Sequence, residues 1–575
     1  MRPKLKSGLL ALMLALGGAP AVAGVSAGAY LAALAAESDN DLAKAAEYFS
    51  RALRTDYGNT SLMERAVRAY VGLGRFDRAL PLADRLIAAG VDSQAAAIVR
   101  IEEWAQEEDF AAILEAQAAG KVKVAPLKVK VAPLVDGLVA AWAKLGTGNS
   151  TDAMAEFDAL AEASESRAFG LYHKALALAL VGDYDSADAI LSSETNEGLN
   201  LTRRGVIAHV EILSQLGRDA DALARLDEVF GKGRDPTIAG LRAALERGDT
   251  LPMTVITRPA DGMAEVFFTI ATVLNRDTPD NFVLTFTRTA EALQPDHVDA
   301  ILMSASLLER MGCIDLALAA YDRIPDDSPF YHVAELGRAA VLQAAGRPDE
   351  AIGVLQRLSR SHDALPEVFQ ALGDALRKEE RWAKAAAAYD RAIDLYGPPV
   401  EERWALYFSR GITHERQGDW AVAESDFRTA LKLRPDQPQV LNYLGYSFVE
   451  MGRNLDEALA MIETAVAARP RDGYITDSLG WVLYRLDRYP EAVVQMERAV
   501  ELVPLDPVIS DHLGDVYWAV GRHREAEFQW RRALSFEPEE KDATRIRRKL
   551  EVGLDRVLEE EGARPLAVAR GGRGG

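Results

Sequence analysis

Two short constellations in this 575-residue chain could carry covalent chemistry. Gly24-Val25-Ser26-Ala27-Gly28 has the Gly-x-Ser-x-Gly spacing that exposes a nucleophilic serine when it sits on a sharp strand-to-helix turn. Asp511 beside His512 offers an acid next to a base. Neither is supported by its surroundings. No strand-like run precedes Gly24, and neighbouring residues on a helix project about 100° apart, so Asp511 and His512 do not converge on one substrate. The eight histidines are scattered, and there is no His-Glu-x-x-His, phosphate loop, Cys-x-x-Cys or dinucleotide fingerprint. The chain is therefore expected not to be an enzyme, and no catalytic, metal-ligating or cofactor-binding residue is assigned.

Recognition chemistry is better represented. Toward the C-terminus, polar and aromatic residues return at a fixed interval: Asn442, Asp477 and Asp511 in one column, Tyr446, Trp481 and Asp515 in a second, Val449, Tyr484 and Trp518 in a third. Aromatics beside polar groups are what peptide grooves and interface centres use. The bland alternative for each ring is filler between helices.

The elements that would position these columns are repeated. Pro435, Pro470, Pro504 and Pro538 recur every 34 or 35 residues, each preceded by an Ala (Ala430, Ala465, Ala499, Ala533) and, seven residues earlier, by another (Ala423, Ala458, Ala492, Ala526). Gly411, Gly445, Gly480 and Gly514 stand further upstream in the same frame. A glycine inside a helix costs about 1 kcal/mol relative to Ala, so its recurrence implies that two helices cross closely there, with small residues on both faces. Leu444, Leu479 and Leu513, with Phe427, Met496 and Trp530 from the second helix, fill the layers. In these small-residue positions the chain resembles the tetratricopeptide repeat family, strongly after residue 300 and patchily before, with weaker copies around Gly373, Gly346 and Gly312.

That resemblance implies an all-α fold of helix-turn-helix repeats stacked as a right-handed superhelical solenoid, whose first helices line a concave groove. The expected groove residues are Asn442, Tyr446, Asp477, Trp481, Tyr484, Asp511, Asp515 and Trp518. With three acids in the set, a protein or peptide segment that is basic or amide-rich fits better than a carboxylate. The implied function is a non-catalytic interaction scaffold; the alternative is a component of an envelope assembly, secretion or polysaccharide-export machine, in which a glycan could be the ligand.

Composition agrees with a helical array: strand-like runs are scarce and aromatics make up 7% of the chain. A net charge of −21 opposes phosphate backbones, and the small basic cluster Arg545, Arg547, Arg548, Lys549 is followed by Glu559, Glu560 and Glu561, so nucleic acid is not an expected partner.

Arg2, Lys4 and Lys6, the apolar run Gly8 to Gly17 and Ala21-Val22-Ala23 form a cleavable export signal over residues 1–23. The mature chain is expected to begin near Gly24, without a transmembrane segment, in the periplasm; no cysteine follows the cut site to accept a lipid. By resemblance to alphaproteobacterial proteins of the family, the source is Gram-negative. The sole cysteine, Cys313, belongs in an inter-helix turn.

Residues 24–248 are expected to be degenerate repeats and 249–263 an extended junction, followed by the main array over 264–540. A capping helix over 541–561, striped by Ile546, Leu550, Leu554 and Leu558, closes it, and 562–575 form a disordered tail. Within the first part, Lys121 to Leu134 duplicates KVKVAPL; Pro126 and Pro133 exclude a central strand, which leaves a tolerated loop.

Overall fold

Each repeat forms a pair of helices, and the residue at their crossing explains why the glycine recurs. In the helix Gly473–Arg485, a Cβ on Gly480 would lie 2.7 Å from Met496 Cγ on the following helix, Tyr489–Leu502. The same relation holds 16 residues apart at Gly373 and Tyr389, Gly411 and Phe427, and Gly514 and Trp530, with distances of 2.4–2.6 Å. The facing residues are therefore large, not small: the glycine is a socket for a big side chain from the second helix. Tyr389, Phe427, Met496 and Trp530 are all fully buried, as is Leu444; Leu479 and Leu513 are buried beside them.

Gly312 and Gly346, expected in the same role, do something else. Both have positive φ (+78° and +73°) in turns and meet nothing within 4 Å. The crossing glycine of that repeat is Gly337, whose Cβ would strike Tyr321 at 2.5 Å.

Helix starts are set by local chemistry. Asp472 and Asp506 precede Gly473–Arg485 and Pro507–Ala519, and each carboxylate accepts two backbone N–H groups of the first turn. Pro507 occupies the first helical position, where no N–H is needed.

The computed structural model describes residues 23–124, 132–193, 201–231, 233 and 235–566. Among these residues there are 31 α-helices and no strand, and no helix is long and apolar enough to cross a membrane. The export signal, apart from Ala23, lies outside the described residues, as do residues 125–131 of the duplication. Val122 and Val124 of the first copy are buried, and Ala132 to Leu134 of the second already belong to the helix Ala132–Gly146 rather than to a loop.

The chain divides into two compact units, residues 1–354 and 355–575. In the first, one core runs from Ile98 to Val341. Residues 249–258 are irregular, as their composition suggests, but Val255 and Ile256 are buried in that core, and Pro259 already starts the helix Pro259–Leu274. The early helices also fold back onto later ones within this unit. Arg288 Nε donates to Gly72 O at 3.3 Å, and Asn40 Nδ2 donates to Met311 O at 3.2 Å. Cys313, half-buried in its inter-helix turn, points Sγ at Asn40 O, 3.1 Å away.

The second unit is the more regular. Its core alternates the buried leucines of first helices with the large residues of second helices, and ends on Ile546 and Leu554. The cap is two helices, Glu540–Val552 and Leu554–Glu560, not one. Gly553, at φ +83°, makes the break, and a Cβ there would meet the Trp518 ring at 2.7 Å. Four-residue periodicity continues across Gly553, which is why the stripe reads as a single helix.

Candidate functional site

The first helices of the last repeats and the cap enclose an open cavity of about 600 Å³ in the second unit. Tyr446, Trp481, Tyr484, Asp511 and Asp515 line it, as expected. Asn442, Asp477 and Trp518 do not.

Trp518 belongs to the cap: its Nε1 donates to Asp555 Oδ2 at 2.9 Å, and its ring tilts against Trp530 at 5.4 Å. Sequence spacing placed it in the right column, but the cap covers that end of the column. Asp477 is buried and pairs with His512 Nδ1 at 3.0 Å. Asn442 Oδ1 is buried without a hydrogen-bond partner among the described residues.

The aromatic centre is a stack. Trp481 lies nearly parallel to Tyr484, with ring centroids 4.8 Å apart, and to His512 at 4.1 Å, while its Nε1 donates to Glu450 Oε1 at 2.8 Å. Burial, helped by Glu450 and Asp477, pushes the Tyr446 hydroxyl above its ordinary range; burial, with Asp515, does the same to Tyr484. Both phenols stay neutral donors in any physiological medium. Burial lowers the affinity of His512 for a proton, but Asp477, Asp511 and Asp515 outweigh it and hold the imidazole above its ordinary value.

The acidic column is neutralised from within. Lys549, itself buried, donates to both carboxylate oxygens of Asp511 at 2.8 Å and to Asp515 Oδ1 at 2.6 Å. Arg545 adds a longer contact to Asp515, 3.5 Å, and pairs with Glu561 at 2.8 Å. Trp530 Nε1 donates to Asp515 Oδ1 at 2.9 Å. Burial and the neighbouring Asp515 still hold the Asp511 carboxyl above its usual range against the pull of Lys549. These acids therefore anchor the cap, and the argument that they attract a basic ligand does not carry over to Asp511 and Asp515. The same pairing uses up the basic cluster, since Arg547 meets Glu540 and Arg548 meets Glu551 and Glu560.

Groove residues the column argument missed come from turns and from the cap: Glu450, Arg485, Asp487, Val508, Lys541, Asp542 and the last described residues, Ala563 to Leu566. Asp487, in a turn at φ +60°, accepts from Tyr489 Oη at 2.9 Å and from Arg564 Nη2 at 2.7 Å. The one available signal was the change from helix-forming to turn residues at Asp487-Arg488, which marks the lip of the groove.

Elsewhere, two buried polar clusters resemble catalytic groupings. Gly24 to Gly28 lie inside the helix Ala23–Ser38, which is not a strand-to-helix turn. Ser192, His209 and Asp188 converge, with His209 Nε2 3.2 Å from Ser192 Oγ and 2.8 Å from Asp188 Oδ1. In a nucleophile arrangement the acid and the serine engage opposite ring nitrogens. Here they share one, and Ser192 Oγ donates to Asp188 Oδ1 at 2.6 Å, so the serine is oriented by the acid rather than activated. Glu265, fully buried, accepts from Tyr172 Oη at 2.9 Å and Arg204 Nε at 2.8 Å, and is an internal ion pair of the first unit. No cluster of metal-ligating residues occurs among the described residues.

Comparison with known proteins follows the same division of regularity. The family described as tetratricopeptide repeat matches residues 36–100 and, in four overlapping windows, 336–398, 371–438, 408–472 and 444–507. A TPR repeat-containing protein of Pseudomonas aeruginosa is 30% identical over 173 residues, covering 29% of this chain and 28% of that protein, so the match spans under a third of the relative's length. Among solved structures, the APC/C hetero-tetramer Cut9-Hcn1 is similar at 16% identity with a TM-score of 0.37, covering 92% of this chain and 96% of that one. YrrB, a TPR protein with an unusual peptide-binding site, is similar at 18% identity with a TM-score of 0.28, over 34% of this chain and 97% of that one.

Proposed function

We propose that this protein, whose residues 36–100 and 336–507 are tetratricopeptide repeats, is a non-catalytic scaffold that holds an extended segment of a partner protein in the groove of its second unit. The observation that carries the reading is the open cavity around the Trp481 stack, walled by rigid, fully packed hairpins and edged by Glu450, Asp487 and Asp542. A preformed concave surface of mixed aromatic and polar character binds a segment at low ordering cost.

The partner's chemistry follows from which groups remain at the lip. Asp477, Asp511 and Asp515 are spent inside the unit, so a basic or amide side chain of the partner would be met by Asp487 and its neighbours instead. A glycan is less well supported, because Trp481 stacks on residues of the chain itself and Trp518 is held by the cap.

For the place of action we propose the periplasm, reached by cleavage near Gly24; the charged start, the short apolar run and Ala21-Val22-Ala23 support it. This keeps the alternative of an envelope assembly, secretion or polysaccharide-export machine as the setting in which the scaffold works. Intact-mass analysis of protein from cells tests the location: an N-terminus near Gly24 is expected, and a chain retaining Met1 in the cytosol would refute it. The groove is tested with Trp481→Ala in the full chain. Proteins that co-purify with the wild type should be lost, while hydrogen exchange in Gly473–Arg485 stays protected; unchanged co-purification with unchanged protection would refute the groove assignment.

A further inference from the structure

The groove already holds part of this chain. After the helix Leu554–Glu560 the backbone turns at Gly562, at φ +65°, and Ala563-Arg564-Pro565-Leu566 runs without regular structure along the cavity wall. Arg564 reaches Asp487, 77 residues away, with Nη2 2.7 Å from Oδ2. Leu566 is half-buried against the core of the second unit. Pro565 restricts the preceding residue to extended conformations and asks for no backbone acceptor of its own, so the segment lies in the groove as an extended peptide would. Its point of entry is fixed, because Leu554 and Val557 of the preceding helix are buried in the cap.

We propose that the C-terminal segment from Gly562 onward is a tethered occupant of the groove, which competes with a partner segment of the same chemistry: an extended stretch bearing an arginine, a proline and an aliphatic side chain. The proposal rests on the groove being the partner site. The contacts suit a competitor that must leave. Arg564 keeps 73% of its side-chain surface exposed, so the ion pair with Asp487 is weak and screened by salt. What the contacts lack the tether supplies, because a short linker gives an effective concentration on the order of 1 mM. A tail with an intrinsic dissociation constant of about 0.1 mM would then fill the groove roughly nine-tenths of the time and weaken an outside ligand about tenfold.

The test uses the full chain and a fluorescent synthetic peptide of residues 562–575 as the probe. Arg564→Glu with Leu566→Asp should free the groove, and since neither residue is in the deep core, the melting profile serves as a control on folding. The probe is expected to bind this variant about tenfold more tightly than the wild type, with the gain removed by adding Asp487→Asn and reduced in high salt. Equal affinity for the wild type and the freed variant, or a gain that survives Asp487→Asn, would overturn the tethered-occupant proposal. The two readings separate cleanly. No gain in probe affinity alongside loss of partners in Trp481→Ala rejects the tail and keeps the groove, whereas a gain alongside partners retained in Trp481→Ala keeps the tail and rejects the groove as partner site.

Discussion

Gly514→Ala should be among the most damaging single-methyl additions in the second unit, although Ala is the better helix former. Substituting Ala inside a helix is worth about 1 kcal/mol in propensity. At Gly514 the new methyl would stand 2.4 Å from Cδ1 and Nε1 of Trp530. Ordinary contact needs about 3.5 Å, so the indole must retreat by about 1 Å. It has nowhere to go: Trp530 is fully buried, tilts on Trp518 and donates to Asp515. Overpacking costs about 1–3 kcal/mol and disturbing a hydrogen bond to a charged group about 1.5–3, which leaves a net loss of about 2–4 kcal/mol after the propensity gain. At Gly480 the neighbour is Met496, a flexible chain 2.7–3.0 Å away that can rotate, and the same change should fall within about 1 kcal/mol of neutral. At Gly240, inside the helix Pro236–Glu246 with nothing within 4 Å, it should stabilise by about 0.5–1 kcal/mol. The assay is amide hydrogen exchange on the full chain, read over Pro507–Ala519 and His523–Ser535, with thermal melting alongside. Because each repeat leans on its neighbours alone, the loss at Gly514 should be confined to the last repeats and the cap. If Gly514→Ala is as stable as Gly480→Ala or Gly240→Ala, the socket account of the recurring glycine is wrong.

Lys549→Met should lower the stability of the cap by about 3–5 kcal/mol, because it leaves Asp511 and Asp515 buried without their cation; protection of Glu540–Val552 measures it, and a change near zero would show that the pairs are not formed. His173, fully buried and accepting from Trp142 Nε1 at 3.2 Å, has its pKa lowered to about 4 by burial. As pH falls below about 6.5 the unfolded chain takes the proton first, so the first unit should lose about 3 kcal/mol between pH 6.5 and 4, and His173→Gln should flatten that slope. Glu102 behaves in the opposite sense: burial raises its carboxyl to about 8, with Glu103 adding to the effect. The unfolded chain loses this proton near 4.5 and the folded one near 8, so stability falls as pH rises between them, and Glu102→Gln should gain about 3 kcal/mol at pH 8 in denaturant unfolding.

The helical hairpins of the second unit were legible because packing repeats: Gly, Ala, Leu and Pro return at one interval, and each position has one steric duty. The first unit was less so. Its helices fold back through contacts such as Arg288 to Gly72 and Cys313 to Asn40, which join residues more than 200 apart and follow no period. The site was legible in its column but not in its electrostatics. Asp511 and Asp515 face the groove, yet the charge they meet is Lys549 from a helix beyond the array, and a periodic reading stops at the last repeat. Trp518 illustrates the same limit, since its environment depends on the break at Gly553, where an unbroken apolar stripe conceals a change of direction. The tail escaped notice because four residues of low hydrophobicity carry no periodic signal, and their placement depends on Asp487, a turn residue from another repeat.

The central claim is that partners dock in the groove of the second unit and not on its outer helices, and site-specific photocrosslinking tests it most directly. A benzophenone side chain would replace Val508, 44% exposed on the groove wall, or Phe528, 63% exposed and outside the groove, in the otherwise unaltered full chain. After irradiation in cells, crosslinked peptides are identified by mass spectrometry. Position 508 should give adducts both to a partner segment and to the chain's own residues 562–575, and position 528 should give neither; partner adducts from 528 with none from 508 would contradict the account.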